Sequence, residues 1–347
     1  MMKKLAVLLL VCLSIVYGEE KSSAETPPNR SAHPCRGYTG LFVTGDFIYW
    51  KSRQEELNTI GNLSLVQDVS SRNIEIKSRE IDFEFSPGFK LGLGNTLPYD
   101  GWDLYANWTH FHNHPKTTFH SQNHDLINFE RLGEAGIIVV SDRAEVDYDL
   151  MFNTLDFDWG RRFYVSNSLS LRLSFGGKVA WIDQTIIYRF ENSQTILIPN
   201  IGAIQTPNEF SKSDIDFWGI GPYFAANGKW HFKWGLGIFG EVSGALLWGH
   251  FDQKTVSESP EVSVDEGNLN IVVSRVKNTG EGSRVRPALQ MFVGLDWEWC
   301  FIPNRLSTQF RVGYETQYFW EQILNLKTIE TSNLSLEGIT IMGRIDF

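Results

Sequence analysis

Between Val285 and Phe301 the chain alternates without a break. Val285, Pro287, Leu289, Met291, Val293, Leu295, Trp297, Trp299 and Phe301 are apolar, and Arg286, Gln290, Asp296 and Glu298 fall between them. A repeat of two is that of a β-strand, whose successive side chains point to opposite faces. Strands of soluble sheets usually run to about 5–6 residues, and this one is far longer. One long oily face backed by charges predicts the wall of a transmembrane antiparallel β-barrel, apolar toward lipid and polar within. The three aromatics at one end of the stretch suit an interfacial girdle.

The same design recurs. Trp234, Leu236, Ile238, Gly240, Val242, Gly244, Leu246 and Trp248 share a face with Trp at both ends. Fourteen steps of ~3.3 Å, tilted by ~40°, rise roughly 35 Å, about a bilayer with its interfaces. Leu169, Leu171, Leu173, Phe175, Gly177, Val179 and Trp181 make a third face, and Leu306, Phe310, Val312, Tyr314, Tyr318 and Trp320 a fourth. The chain ends on a fifth, Ile339, Ile341, Gly343, Ile345 and Phe347. A last strand closing on Phe is a usual terminal signal of bacterial outer-membrane barrels, and Phe347 would present this one to the barrel assembly machinery. Between Val146 and Trp159 the phase slips near Asn153, which predicts a β-bulge.

Short connections at 95–100, 165–168, 230–232 and 302–304 alternate with long ones at 52–80, 113–142, 184–213 and 250–283, and a shorter one at 321–332. Short periplasmic turns opposite long extracellular loops are the layout of an outer-membrane barrel. Ten strands are counted. Segments 185–190 and 269–276 also look extended, as loop hairpins or as further wall strands, so the count stays open from ten to fourteen.

Residues 1–18 carry Lys3 and Lys4, an apolar run of about twelve residues and Gly18. This reads as a signal peptide for export, since the run is too short to span a bilayer. Residues 19–37, with Pro27, Pro28 and Pro34, read as a flexible periplasmic leader, and 38–347 as the barrel in the cell outer membrane. Beyond residue 18 no run approaches the ~18 apolar residues of a membrane helix. A formal net charge of −10 over 347 residues argues against nucleic acid as a partner. Outer-membrane lipid, and a second copy of the chain, remain as partners.

The inward face offers a candidate lumen set: Arg172, Lys178, Glu241, Arg286, Asp296, Glu298, Arg311, Glu315, Arg344 and Asp346. These residues either set conductance or pair with one another and fill a narrow barrel. Ten strands lie near the filled end of the range. Cys35 and Cys300 fall on the same side of the membrane, as a disulfide, a cross-link between chains or two free thiols. His110, His112 and His114 alternate in a strand and share a face. They make either a transition-metal site or a polar strand end. No acid or Cys ligand pattern accompanies them in sequence, so no metal or cofactor is assigned. The stretch His120–Asp125 is the one candidate for rim catalysis, and nothing in its spacing specifies a dyad, so no catalytic residue is assigned. Glycines at 219–221 and 235–237 lack a phosphate-loop context and read as wall glycines.

Several segments resemble one family. Gly45-Asp-Phe-Ile-Tyr-Trp-Lys51, Pro87-Gly-Phe-Lys-Leu-Gly-Leu-Gly94 and Asp100-Gly-Trp-Asp-Leu-Tyr-Ala-Asn-Trp-Thr109 are similar to the first three strands of Legionella-type major outer membrane proteins and their relatives in chlamydia-related bacteria. Trp181-Ile-Asp183, Phe232-Lys-Trp-Gly-Leu-Gly237 and the Leu334–Phe347 terminus extend the resemblance over most of the chain, leaving out the long loops. It implies a pore-forming outer-membrane protein, porin-like, passing small hydrophilic solutes without catalysis. A plugged barrel that works through its loops is the alternative, and an outer-membrane enzyme a more distant one.

Overall fold

The computed structural model describes residues 40–54, 60–68, 71–78, 82–98, 100–121, 126–128, 137–197, 201–265, 268–302, 306–324 and 331–347. The chain divides into two units, Met1–Arg30 and Ser31–Phe347, and every described residue belongs to the second. The expected signal peptide and leader lie outside the described residues.

Ten long strands make the wall: β1 Gly40–Gln54, β2 Ser86–Thr96, β3 Trp102–Asn113, β4 Arg143–Tyr164, β5 Leu169–Glu191, β6 Glu209–His231, β7 Leu236–Asp265, β8 Asn268–Ile302, β9 Leu306–Leu324 and β10 Thr331–Asp346. Each pairs antiparallel with the next, and β10 returns to β1 from Phe42↔Asp346 to Gln54↔Leu334. The Phe347 N–H donates to the Leu41 carbonyl at 2.9 Å, completing the seam. Among the described residues, closure leaves the wall no free edge at the height of the apolar belt, which is what lipid demands of a sheet.

Outward residues form an apolar belt that includes Phe47, Leu91, Phe175, Ile220, Val242 and Val293, all exposed. Trp218 and Trp248 bound it on the long-connection side, and Trp230, Trp234 and Trp299 on the other. Trp234 does not open β7 as its phase suggests. It sits in the tight turn Lys233–Gly235 at φ 63°, with Gly235 following at φ 76°. A bulky residue there is strained, and the turn leaves its ring 85% exposed.

Three readings of the wall are decided by its register. Segments 185–190 and 269–276 are not further wall strands; they lengthen β5 and β8 beyond the belt. The long connection at 250–283 is a hairpin ribbon in which β7 and β8 stay in one register from Leu236↔Trp297 to Asp265↔Asn268. Nor is there a bulge at Asn153. The β4–β5 register runs unshifted from Ser170↔Tyr164 to Glu191↔Arg143. The apolar residues change face there: Tyr148, Leu150 and Phe152 point inward and are fully buried, whereas Phe157 and Trp159 point outward and are exposed.

The long connections build a second, six-stranded sheet from Ile60–Asp68, Ser71–Ser78, Leu126–Asn128, Ile137–Ser141, Gln194–Leu197 and Ile201–Gln205. Its Leu126 is fully buried in the same apolar cluster as Phe152, so this sheet meets the barrel interior from above.

Candidate functional site

The barrel interior has two tiers. The upper one is apolar. Ile48, Gly88, Phe111, Phe152, Ile182, Phe217 and Phe251 stand directly opposite one another across seven successive strands, β1 to β7. Gly88 holds no side chain because a Cβ would come within 2.9 Å of Ile48. The strands are staggered, so the remaining strands complete the layer with Ala288, Phe319, Leu334 and Leu336. Phe152 and Phe319 meet edge-to-face with ring centroids 5.4 Å apart. Their strands, β4 and β9, are five apart in a ring of ten, so this contact spans the bore.

The lower tier is ionic. Its residues, drawn from all ten strands, line a partly open cavity of about 110 Å³, room for several waters. Glu315 is fully buried and accepts hydrogen bonds from Lys90, from Gln290 and Thr340 at 2.8 Å, and from Gln317 at 3.2 Å. Arg172 places Nε 3.0 Å from both oxygens of Asp103 and reaches Asp158 with Nη2. Lys178 pairs with Asp156 at 2.8 Å. Asp296 takes Arg311 at 2.8 Å together with Lys229 and Gln309, and Glu298 shares Lys229. Glu241 accepts from Asn227 at 2.7 Å. Arg344 pairs with Asp346 at 2.6 Å while stacking 3.6 Å over the Phe42 ring.

Nine of the ten candidate lumen residues therefore gather in the lower tier. The tenth, Arg286, sits higher, 4.9 Å over the Phe251 ring and paired with Glu321. Sequence reading missed the partners Lys90, Asp103, Asp156, Asp158 and Lys229. Lys90 between Phe89 and Leu91, and Asp156 and Asp158 flanking Phe157, carried the signal: each occupies the face opposite an outward aromatic.

Cys300 is disulfide-bonded, and Cys35 lies outside the described residues. His110 contacts Asn153 at 2.8 Å. His112 and His114 are exposed on the outer face above the girdle, beside Asp149 and Asp147. His120 is exposed opposite Arg143, and 122–125 lie outside the described residues.

The family model described as Legionella pneumophila major outer membrane protein precursor matches residues 33–347. The chain belongs to this family. That membership, with the closed ring and apolar belt, makes it an outer-membrane β-barrel. Among solved structures, the outer membrane protease OmpT from Escherichia coli is 8% identical, covering 93% of this chain and 99% of that one, at a TM-score of 0.44. A Pseudomonas aeruginosa FadL homologue is 7% identical over 93% of this chain and 95% of its own, at a TM-score of 0.25. The toluene transporter TbuX from Ralstonia pickettii is 9% identical over 90% of both chains, at 0.23. Likeness at these scores carries no activity to this family member. No curated protein matches the chain.

Proposed function

We propose that this protein is a closed-bore surface barrel of the outer membrane, a structural and display element that works through the sheet and ribbon above its wall. The observation that carries this reading is the Phe152–Phe319 contact across the bore. An apolar layer of this kind excludes hydrated solute, since a permeant molecule needs polar groups to replace its water. Beneath it the charges are already spent on one another. Ten strands lie near the eight whose interior side chains fill.

A porin-like path for small hydrophilic solutes is the second reading. The charged cavity of about 110 Å³ favours it, provided the apolar layer above can move. Single-channel recording of the refolded, heat-modifiable protein in a planar bilayer separates the two. Silence is expected; discrete, reproducible steps would overturn the closed-bore reading and establish the second. Neither reading includes catalysis, so peptidase activity of the folded barrel would count against both. Outer-membrane lipid, the assembly machinery at the Phe347 strand and a second copy of the chain are the partners either reading calls for.

A further inference from the structure

On the outer face of the wall, just above the girdle, β3 and β4 bring two imidazoles and two carboxylates together. His112 Nε2 lies 2.7 Å from Asp149 Oδ1, and His114 Nδ1 lies 3.5 Å from the same oxygen. One ligand atom from each of His112, His114 and Asp149 falls within 4.8 Å of the other two. On its far side, His114 Nε2 lies 3.0 Å from Asp147 Oδ1.

We propose that His112, His114 and Asp149 bind a divalent first-row transition metal such as Zn²⁺. The reasoning starts from geometry. Alternate residues of one strand share a face, which brings both imidazoles to the same side. The facing strand supplies its own alternate pair, Asp147 and Asp149, one alternate step further up, since His112 pairs with Met151 and Lys116 with Asp147. Tetrahedral ligands at Zn–N and Zn–O lengths of about 2.0–2.2 Å sit roughly 3.3 Å from one another. The donor atoms need to move by about an ångström or less to reach that spacing. The 2.7 Å contact is where a proton now holds His112 to Asp149, and a cation would take that proton's place.

Asp147 strengthens the assignment. When His114 turns Nδ1 to the metal, its Nε2–H donates to Asp147. A carboxylate behind a ligating imidazole fixes its tautomer and raises its basicity, the usual outer support of a metal-binding histidine. Imidazole with carboxylate suits Zn²⁺ and its neighbours, whereas Ca²⁺ and Mg²⁺ prefer oxygen alone. Three protein ligands leave positions for water or for an anionic group of the surrounding surface.

The test is calorimetric titration of the full, heat-modifiable barrel in detergent with Zn²⁺ alone, repeated with Co²⁺ to read ligand-field absorption. One equivalent should bind at pH 7.5. Outer-shell partners are each worth about 10–100-fold in metal affinity, so loss of a direct ligand should cost no less. His112→Ala, His114→Ala and Asp149→Asn should each weaken binding at least tenfold and change the Co²⁺ spectrum. Asp147→Asn should weaken it at unchanged stoichiometry, and His250→Ala should leave it alone. All five side chains are on the outer face, so the variants should keep their folded migration, and any one that does not is replaced by the others in the set. Absence of saturable binding, or equal affinity in His112→Ala, His114→Ala and the parent, would overturn the proposal.

Discussion

Glu315 shows how the lower tier is held. It is fully buried, and its two oxygens take Lys90, Gln290, Gln317 and Thr340. Burying a carboxylate is tolerable only when its hydrogen-bonding capacity is used and a cation is near. Removing it strands Lys90 in the bore, and breaking a buried pair costs about 3–5 kcal/mol. Glu315→Ala should therefore lower the unfolding midpoint, read as the temperature or urea concentration at which heat-modifiable migration is lost. The double variant Lys90→Met/Glu315→Leu should lose less than the two single changes summed, because it removes the paired cation and anion together. A second carboxylate is tuned outside the membrane. The hydrogen bond from Lys116 holds Glu145 below its ordinary value of 4.5, with Arg189 assisting and burial opposing; Arg143 also faces it, at 3.3 Å. A carboxylate depressed in the fold lends stability above its unfolded value and loses it as pH falls through the folded one. The stability gap between the parent and Glu145→Gln should thus be constant above about pH 5 and narrow below 4.5. A gap that widens in acid would contradict this assignment. The metal-site geometry was half legible at this scale: alternation gave the shared face of His112 and His114. Their acid partners come from a strand more than thirty residues on, and only pairing register reveals them.

Among the strands, alternation was legible because a lipid-facing belt imposes it on every crossing, and ten such faces could be counted. What alternation alone could not tell was which face an apolar run occupies. In β4 the oily residues move from inward to outward between Phe152 and Leu155 without any break in the ladder. A bulge and a change of bore chemistry leave the same trace in sequence. In neighbouring β5 the corresponding step is from outward Trp181 to inward Ile182, and in β6 from inward Phe217 to outward Trp218. Phase slips at matched heights on adjacent strands therefore mark the floor of an apolar tier. The ribbon of β7 and β8 fills the long connection at 250–283, where a period of two shows extended chain but not whether it pairs inside the belt or above it. Above Glu258, the last residue of β7 paired with β6, residues 259–265 of β7 pair only with β8 among the described residues. Two strands alone are marginal in water. Replacing 260–273 by an Asn-Gly turn, which suits a two-residue hairpin, should leave folded migration and unfolding midpoint unchanged. A lowered midpoint would show that the ribbon is part of the barrel's cooperative unit.

At the level of the whole molecule, two demands conflict. Lipid requires a closed wall, and ten strands close one whose bore is too wide to be left empty and too narrow for a free channel. The chain meets this by filling the bore twice, with rings above and ion pairs below. The tiers differ in what opening them would take. The ion pairs are held within three strands of each other, Arg172–Asp103 and Lys229–Glu298 two apart and Lys90–Glu315 three, so none of these reaches straight across the bore as the aromatic rings above do. Phe152 and Phe319 reach each other over the full bore, with Phe111 behind them, tilted against Trp50 at 5.8 Å. Truncating those three rings should therefore do what no change in the ionic tier does. Phe111→Ala/Phe152→Ala/Phe319→Ala removes apolar volume and leaves the wall ladder and every ion pair in place. Each Phe→Ala change costs about 3–5 kcal/mol in a packed core, so the variant must first be shown to retain heat-modifiable migration; a single Phe152→Ala change is the milder fallback. In planar bilayers the parent should be silent and the folded variant should show a small, steady conductance. Equal conductance in the two would mean that solutes do not meet these rings. The closed-bore reading would then fail, and the path would have to run through the ionic tier by a rearrangement that bypasses the apolar layer.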